Sequence, residues 1–331
     1  MAKEVVISAK STFVLQDYED AKLGADEIRG TTIATLISQG TEMGWAAGED
    51  FPVRPGYAAV FRVEEIGDAV EGVEIGEMRF CMGYHRATQQ HAVRNTLKLP
   101  EGISPEVALL TRLMGVSMTT LMTTKARPGD KVVICGAGPV GILAAHNFAI
   151  GGYDVSVVEP DAMRREQLQQ SGIATVHEKM PLEDPDYMKK VALVVDCSGH
   201  EAAVLDGCRI VRPMGEVVLV GVPWRKYTDL SAHEIMQAVF FGFVTLRGGW
   251  EWEVPIHSRD FVWEELLEGY NNSPYSTFGG FERALRWLSE GRVDLTGLMT
   301  SVSPADPAQV YADIAARKIA EPFIVYDWRE L

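Results

Sequence analysis

Residues 131–141 read KVVICGAGPVG, a short apolar run followed by a turn with glycines at positions 136, 138 and 141. Residues 142–149 are typical of a helix, so the segment predicts a buried strand, a tight turn and a helix. Such a turn lets the backbone approach a pyrophosphate, whose charge is stabilised at the helix N-terminus. We therefore predict a dinucleotide cofactor site at Gly136, Gly138, Pro139, Val140 and Gly141.

More than a third of the chain precedes this turn. Within it, β-branched residues and turn residues predict strands at 3–11, 31–38, 58–66 and 78–82, followed by a helix over 104–124. This pattern indicates a compact β-rich part, which we expect to hold the substrate.

A regular alternation of strands and helices surrounds the glycine turn. Apolar runs of strand length occur at 132–135, 155–158, 193–196, 216–220 and 244–247. Continuously apolar strands separated by helices are typical of a parallel sheet covered on both faces, so we predict an α/β fold. After residue 249 the regularity ends, although 278–290 has helical spacing and 323–326 predicts a last strand that returns to the first part.

The composition limits the classes of function. At 331 residues the chain is about two domains long, and its formal net charge of −15 argues against a nucleic-acid partner. No apolar run is long enough to span a bilayer and no signal segment is evident, so we expect a cytoplasmic protein without a membrane partner. The four cysteines are scattered, which indicates free thiols rather than a metal knuckle.

Glu159 closes the second strand of the alternation, 18 residues after the third glycine. A carboxylate at this place accepts hydrogen bonds from ribose hydroxyls and repels a 2′-phosphate, which favours NAD over NADP. The alternative is a solvated acid at a strand end, with Arg164 and Arg165 close enough to receive a 2′-phosphate.

Two further strand ends carry candidate cofactor residues. Cys197 and Ser198 follow the third apolar run of the alternation, and Gly221 and Val222 follow the fourth. Ligands bind at the carboxyl edge of open parallel sheets, so these residues are predicted to line the cofactor. Ordinary turn chemistry explains each of them equally well.

The chain resembles the medium-chain dehydrogenase/reductase superfamily over nearly its whole length. The motifs that carry the resemblance are the glycine turn, 40–42 (GTE), 54–57 (RPGY), 63–67 (VEEIG), 195–199 (VDCSG) and 211–215 (VRPMG). The resemblance implies a Rossmann cofactor domain inserted in a GroES-like β-rich catalytic domain, with catalytic parts at 1–113 and 250–331 and the Rossmann domain at 114–249. It also implies a homodimer or homotetramer.

The chain departs from the zinc-binding members at their metal ligands. They carry Cys-Gly-Ser/Thr-Asp where this chain has 39–42 (QGTE), and Gly-His-Glu where it has 56–58 (GYA). A third ligand position falls near Arg112, whose cation would oppose a metal, and the four-cysteine lobe for structural zinc is missing. A catalytic zinc site needs about three N, S or O ligands from the protein, so we predict no metal.

Without zinc, another group must polarise the substrate oxygen and exchange its proton. Tyr57 occupies a lost ligand position, and a cation such as Arg112 would lower the pKa of its hydroxyl; the alternative is an aromatic plug that fills the cavity. His85 and His91 are candidate proton carriers, or structural residues. In the zinc-binding members, an acid at the position of Glu42 orients a metal ligand. Here we expect Glu42 to orient Tyr57 or Arg112, or to cap a turn. Thr41 is a candidate hydroxyl donor in the same loop.

A last group of candidates follows the strand alternation and suits a polyhydroxylated ring, a large flat substrate or a subunit interface. Its members are Trp250, Trp252, His257, Asp260, Tyr270 and Tyr275.

The leading hypothesis is an NAD-dependent, zinc-independent oxidoreductase of a secondary alcohol or ketone, with a sugar, cyclitol or other polyol as substrate. Its motifs are similar to those of degenerate relatives of polyol and threonine dehydrogenases. A first alternative is the bacteriochlorophyllide hydroxyethyl dehydrogenase subgroup, which shares the ending at 327–329 (DWR). The others are an enoyl or quinone reductase and a nicotinamide-binding protein without turnover.

Overall fold

A computed structural model describes residues 1–252 and 276–331 of the chain. The described strands are β1 to β15, in chain order Ala2–Ala9, Thr12–Tyr18, Glu27–Ile37, Ala59–Ile66, Met78–Cys81, Thr88–Ala92, Thr96–Lys98, Lys131–Cys135, Asp154–Val158, Val176–His177, Val191–Asp196, Val211–Leu219, Thr245–Gly248, Met299–Val302 and Phe323–Asp327. The described helices are α1 to α9, in chain order Gln39–Ala46, Pro105–Leu109, Thr111–Thr123, Pro139–Ile150, Ala162–Gln170, Glu201–Ile210, Ala232–Gly242, Thr277–Ser289 and Pro307–Ala315.

The chain forms two compact units. The first comprises Met1–Arg112, Leu285–Glu290 and Gly297–Leu331, and the second comprises Leu113–Ala284 and Gly291–Thr296. The predicted return to the catalytic domain at residue 250 stays a prediction, because residues 253–275 lie outside the described part. His257, Asp260, Tyr270 and Tyr275 lie outside it as well.

The second unit contains a six-stranded sheet in the order β10-β9-β8-β11-β12-β13. Every pairing in it is parallel. The central strand β11 is buried along its whole length, as expected for an apolar strand with helices on both faces. The predicted parallel α/β sheet is therefore confirmed. The short strand β10 and the early start of β12 were not predicted.

The first unit contains a seven-stranded sheet and a separate antiparallel hairpin of β1 and β2. The sheet order is β14-β15-β3-β4-β5-β7, with β6 also paired to β3. The last long strand, β15, pairs antiparallel with β3, so the end of the chain returns to the sheet of the first part as the sequence predicts. One core cluster of this unit forms around Phe13, Tyr311 and Tyr326, where Phe13 stacks on Tyr311.

The four cysteines are free thiols. Cys81, Cys135 and Cys208 are buried and Cys197 is half-buried. Burial raises the pKa of the Cys135 and Cys197 thiols well above the ordinary value, which makes them unreactive at neutral pH. No helix in residues 1–252 or 276–331 has the length and apolarity needed to cross a membrane.

Candidate functional site

The glycine turn between β8 and α4 has the shape that requires glycine at two positions. Gly136 has φ +91°, a left-handed conformation that side chains disfavour. A Cβ atom on Gly141 would lie 1.8 Å from the Gly136 carbonyl oxygen, which excludes any side chain there. A Cβ on Gly138 would meet nothing within 4 Å. The turn therefore leaves open space beside Gly138, the N-cap residue of α4, while Pro139 starts the helix.

Glu159 is held against this turn. Its side chain is buried, with the residue only 5% exposed. One carboxylate oxygen accepts a hydrogen bond of 2.7 Å from the Ala137 backbone N–H, and the other accepts one of 2.9 Å from Asp161 N–H. The alternative of a solvated acid is therefore wrong. Each oxygen keeps a further lone pair for a ribose hydroxyl.

Two arginines follow Glu159 and differ in their surroundings. The Arg165 guanidinium donates to the backbone carbonyls of Glu159 and Pro160 at 2.8 and 2.6 Å, so it is engaged with the main chain. Arg164 is half-buried and its backbone N–H caps onto Asp161. Of the two cations proposed to receive a 2′-phosphate, Arg164 has the less engaged side chain.

The exits of β8, β11 and β12 lie next to one another. A Cβ on Gly136 would be 3.3 Å from the Ser198 Cβ, and a Cβ on Gly221 would be 2.5 Å from the Gly199 nitrogen. The predicted residues Cys197, Ser198, Gly221 and Val222 therefore share one edge of the sheet with the glycine turn. Ser198 and Val222 are exposed there.

Asp196 organises this edge and was not singled out from the sequence. Its buried carboxylate accepts hydrogen bonds from the backbone N–H groups of Ser198 and Gly199 at 3.0 and 3.2 Å. Burial raises its pKa above the usual aspartate value, although these bonds oppose the shift. The sequence signal was an acid directly before a Ser-Gly turn.

In the first unit, Tyr57 and Arg112 are in direct contact. The guanidinium carbon of Arg112 lies 4.5 Å from the centre of the Tyr57 ring, in a cation–π arrangement. The Tyr57 hydroxyl donates a short hydrogen bond to Ser38 Oγ, and Trp45 packs edge-on against the same ring. The structure therefore brings together two residues that the sequence resemblance assigns to lost metal-ligand positions.

Glu42 and His85 form a completely buried pair. Glu42 Oε1 lies 3.1 Å from His85 Nε2 and accepts a 3.0 Å hydrogen bond from the Ser38 backbone N–H, while its Oε2 accepts one of 2.5 Å from the Tyr311 hydroxyl. Glu42 thus caps the start of α1 and does not orient Tyr57 or Arg112 directly. His85 has no exposed surface, so the structure does not support the predicted proton-carrying role.

Thr35 provides the second partner of the His85 ring. Thr35 Oγ1 accepts from the indole N–H of Trp328 at 2.9 Å and lies 2.7 Å from His85 Nδ1. Both ring nitrogens of the buried His85 therefore have a hydrogen-bond partner.

The remaining candidates lie apart from these contacts. Burial lowers the pKa of His91 on β6 to about 4, so its ring is neutral at pH 7 and does not titrate near neutrality. Thr41 is half-buried in the first turn of α1. Gln39 donates to the Pro322 carbonyl at 3.1 Å and Ala58 is fully buried. In the described part of the chain, no three His, Cys, Asp or Glu residues are grouped as a metal site requires.

Comparison with known proteins gives a consistent result. Residues 139–252 match the family model described as zinc-binding dehydrogenase. The chain is 29% identical over 327 residues to L-threonine 3-dehydrogenase of Pyrococcus horikoshii, covering 84% of this chain and 92% of that protein. It is 25% identical over 305 residues to 2-dehydro-3-deoxy-L-galactonate 5-dehydrogenase of Pseudoalteromonas atlantica, covering 87% and 77%.

Among solved structures, galactitol-1-phosphate dehydrogenase of Escherichia coli has a similar fold, with a TM-score of 0.79 and 16% identity, covering 98% of this chain and 99% of that one. The parallel sheet with its glycine turn and the separate β-rich unit define a dehydrogenase fold. The chain belongs to the medium-chain dehydrogenase/reductase superfamily of zinc-type alcohol dehydrogenases, and it is an oxidoreductase.

Proposed function

We propose that this protein is a zinc-independent, NAD-dependent oxidoreductase that interconverts a secondary alcohol and a ketone on a sugar, cyclitol or other polyol. The observation that carries the proposal is the contact of Arg112 with Tyr57, because a buried cation and a phenol meet at positions that the sequence resemblance assigns to lost metal ligands. Tyr57 then contributes to polarising the substrate oxygen, which is worth roughly 10²–10⁴-fold when well placed. A cavity-filling role for Tyr57 is the competing explanation.

The proposed absence of zinc rests on the chemistry of the replaced positions. Gln39, Tyr57 and Ala58 offer neither thiolate nor imidazole, and the Arg112 guanidinium repels a divalent cation. The matched family model covers 139–252 and so does not include these positions. Metal analysis of the purified protein tests the proposal, and near-stoichiometric zinc would contradict it.

NAD is proposed as the coenzyme because Glu159 is fixed at the glycine turn, where its charge opposes a 2′-phosphate. The residues that would hold it are Gly136, Gly138, Pro139, Val140, Gly141, Glu159, Ser198, Gly221 and Val222, with the half-buried Cys197 and Arg164 at the margin. Titration of the intrinsic tryptophan fluorescence with NADH and with NADPH tests this choice. Tighter binding of NADPH would refute it.

The polyol substrate class is supported by the names of similar proteins, which include a galactonate and a galactitol-phosphate dehydrogenase. The bacteriochlorophyllide-type hydroxyethyl dehydrogenase and the enoyl or quinone reductase remain alternatives. A panel of sugars, cyclitols, hydroxyethyl-substituted tetrapyrroles and enones, followed by coenzyme absorbance, separates them. Activity on enones or tetrapyrroles alone would exclude a polyol dehydrogenase.

We also propose a homo-oligomer built on the face of α7. Five large apolar side chains near this helix are 66–75% exposed: Met214, Met236, Phe240, Phe241 and Phe243. Beside them β13 pairs with β12 alone within the described part of the sheet. A strand edge without a second partner among the described residues, beside an apolar patch, suits a second copy of the chain, because an identical edge is self-complementary about a two-fold axis.

Light scattering during size-exclusion chromatography tests this assembly. F240E/F241E is expected to lower the mass to that of one chain, and Y84E, which changes an exposed aromatic residue in the other unit, is the control. A wild-type monomer would contradict the proposal.

A further inference from the structure

Ser38 is the N-cap residue of α1, yet its hydroxyl makes no capping bond. A serine at this place usually accepts a hydrogen bond from a backbone N–H of the first helical turn. Here Glu42 stabilises the start of the helix instead, through its 3.0 Å bond to the Ser38 N–H. The Ser38 hydroxyl is thus left for another partner, which is Tyr57.

The direction of the hydrogen bond between Tyr57 and Ser38 determines which of the two hydroxyl protons can be donated to a third group. Tyr57 donates and Ser38 Oγ accepts, so the phenolic proton is already used. The Ser38 hydroxyl proton is not used in this bond, and the described residues supply no other acceptor for it. Of the two hydroxyl groups, Ser38 is therefore the one that can donate to a third oxygen.

We propose that Ser38 is a catalytic residue that passes a proton between Tyr57 and the substrate oxygen. The proposal rests on the function proposed above and adds to it a residue to which the sequence analysis assigns no role. When bound, the reduced nicotinamide coenzyme supplies the hydride that the carbonyl carbon gains.

The proton movements balance in the reducing direction. The carbonyl π-electron pair moves to the substrate oxygen, which takes the proton of Ser38 as the Ser38 O–H bond breaks. The Tyr57 O–H bond breaks in turn, and its proton forms the new O–H bond on Ser38 Oγ. Negative charge then rests on the Tyr57 phenolate until water returns a proton, and alcohol oxidation follows the reverse path.

Two features of the structure suit this relay. The guanidinium of Arg112, 4.5 Å from the Tyr57 ring centre, stabilises the phenolate by its positive charge. The buried Glu42, itself held by His85 and Tyr311, fixes the backbone of Ser38. Glu42 and His85 are thus positioning residues, which act through Ser38 and do not contact the substrate.

The first test measures binding without turnover. An aliphatic carboxamide has a carbonyl oxygen that accepts the same hydrogen bond but is not reduced, and its binding to the NADH-loaded protein is followed by coenzyme fluorescence. We expect S38A to weaken this binding about 5- to 10-fold, which corresponds to one lost hydrogen bond. S38T should restore it, and S8A, at an exposed serine of β1, should leave it unchanged.

The second test measures turnover and its solvent isotope effect. We expect kcat to fall about 100-fold in S38A and in Y57F, and no further in the double variant, because the two residues act as one unit. The wild type should show a solvent deuterium effect from two moving protons, which S38A loses. NADH affinity should be the same in all variants.

The outcomes separate the relay from the proposed function. An active wild type with an unaffected S38A, or additive losses in the double variant, overturns the relay alone. A wild type that binds the carboxamide through Ser38 but reduces no carbonyl compound contradicts the proposed function and supports Ser38 as a donor. If it neither binds the carboxamide through Ser38 nor reduces any carbonyl compound, both are refuted.

Discussion

Glu159 accepts a 2.7 Å hydrogen bond from the backbone N–H of Ala137, which joins the end of β9 to the glycine turn after β8. The second oxygen of the same carboxylate binds the Asp161 N–H at the start of α5. One side chain therefore fixes the turn and places negative charge beside it. Shape and charge at this site depend on the same residue.

The E159Q variant should weaken NADH binding more than NADPH binding. A glutamine keeps the size of the side chain, but its NH₂ group cannot accept from both backbone donors, so one of them loses its bond at a cost of about 1–3 kcal/mol. The negative charge that repels a 2′-phosphate is removed as well. Fluorescence titration with both coenzymes measures the ratio of affinities, and an unchanged ratio would argue against a role of Glu159 in coenzyme choice.

Two glycines of the turn should respond differently to a methyl group. In G141A the new Cβ would lie 1.8 Å from the Gly136 carbonyl oxygen, so we expect about 1–3 kcal/mol of destabilisation and no NADH binding. G138A is the matched variant, because its Cβ meets nothing within 4 Å and its φ of −75° suits alanine.

G138A should therefore unfold like the wild type but bind NADH more weakly, since the methyl group occupies the space left for the pyrophosphate. Thermal unfolding and fluorescence titration separate the two effects. Equal NADH affinity in G138A and the wild type would place the coenzyme elsewhere.

The sequence predicts those parts of the structure whose pattern lies within a short contiguous stretch of the chain. The apolar strand, the glycine turn and α4 are contiguous, and Glu159 lies at the end of the next strand, so one pattern contains the geometry of this site. The pairing of β15 with β3 could also be anticipated from an apolar run. The predicted helix over 104–124 is instead two helices, α2 and α3, because helix boundaries depend on tertiary packing that the pattern does not contain.

The surroundings of Tyr57 could be predicted only in part. A resemblance placed Tyr57 and Arg112 at lost ligand positions, and the structure brings them into contact. The bond to Ser38 and the contacts of Glu42 with His85 and Tyr311 were missed, because they join residues that are distant in sequence. A Ser at an N-cap gives no sign that its hydroxyl has another partner.

E42Q should lower the free energy of unfolding by about 3 kcal/mol. Glu42 is completely buried and accepts from the Ser38 N–H, from His85 and from the Tyr311 hydroxyl, and an amide cannot accept all three bonds. Chemical denaturation measures the loss. E49Q, at an exposed glutamate just after α1, is the control and should change stability by less than about 0.5 kcal/mol. An E42Q protein as stable as E49Q would show that the network contributes little.

His146 should make the protein less stable as the pH falls from 6.5 toward 4. Burial lowers its pKa from 6.5 to about 4, while the charge of Asp294 acts in the opposite direction. The side chain lies inside α4, where its Nε2 is 3.1 Å from Ser171 Oγ. Since the Ser171 hydroxyl donates to the Leu168 carbonyl, the neutral imidazole donates to Ser171.

The direction of this pH dependence follows from proton binding to His146 in the folded and unfolded states. Well above pH 6.5 the ring is neutral in both states, so this residue gives no pH dependence there. Between pH 6.5 and 4 the unfolded chain binds a proton that the folded protein does not, so stability is lost as the pH falls. For His146 the loss at pH 5 is about 2 kcal/mol, because one pKa unit corresponds to about 1.4 kcal/mol. Urea unfolding of the wild type and of H146N at pH 7 and pH 5 tests this. The decrease in the free energy of unfolding between pH 7 and pH 5 should be about 2 kcal/mol smaller in H146N than in the wild type. An equal decrease in both proteins would show that His146 does not titrate in this way.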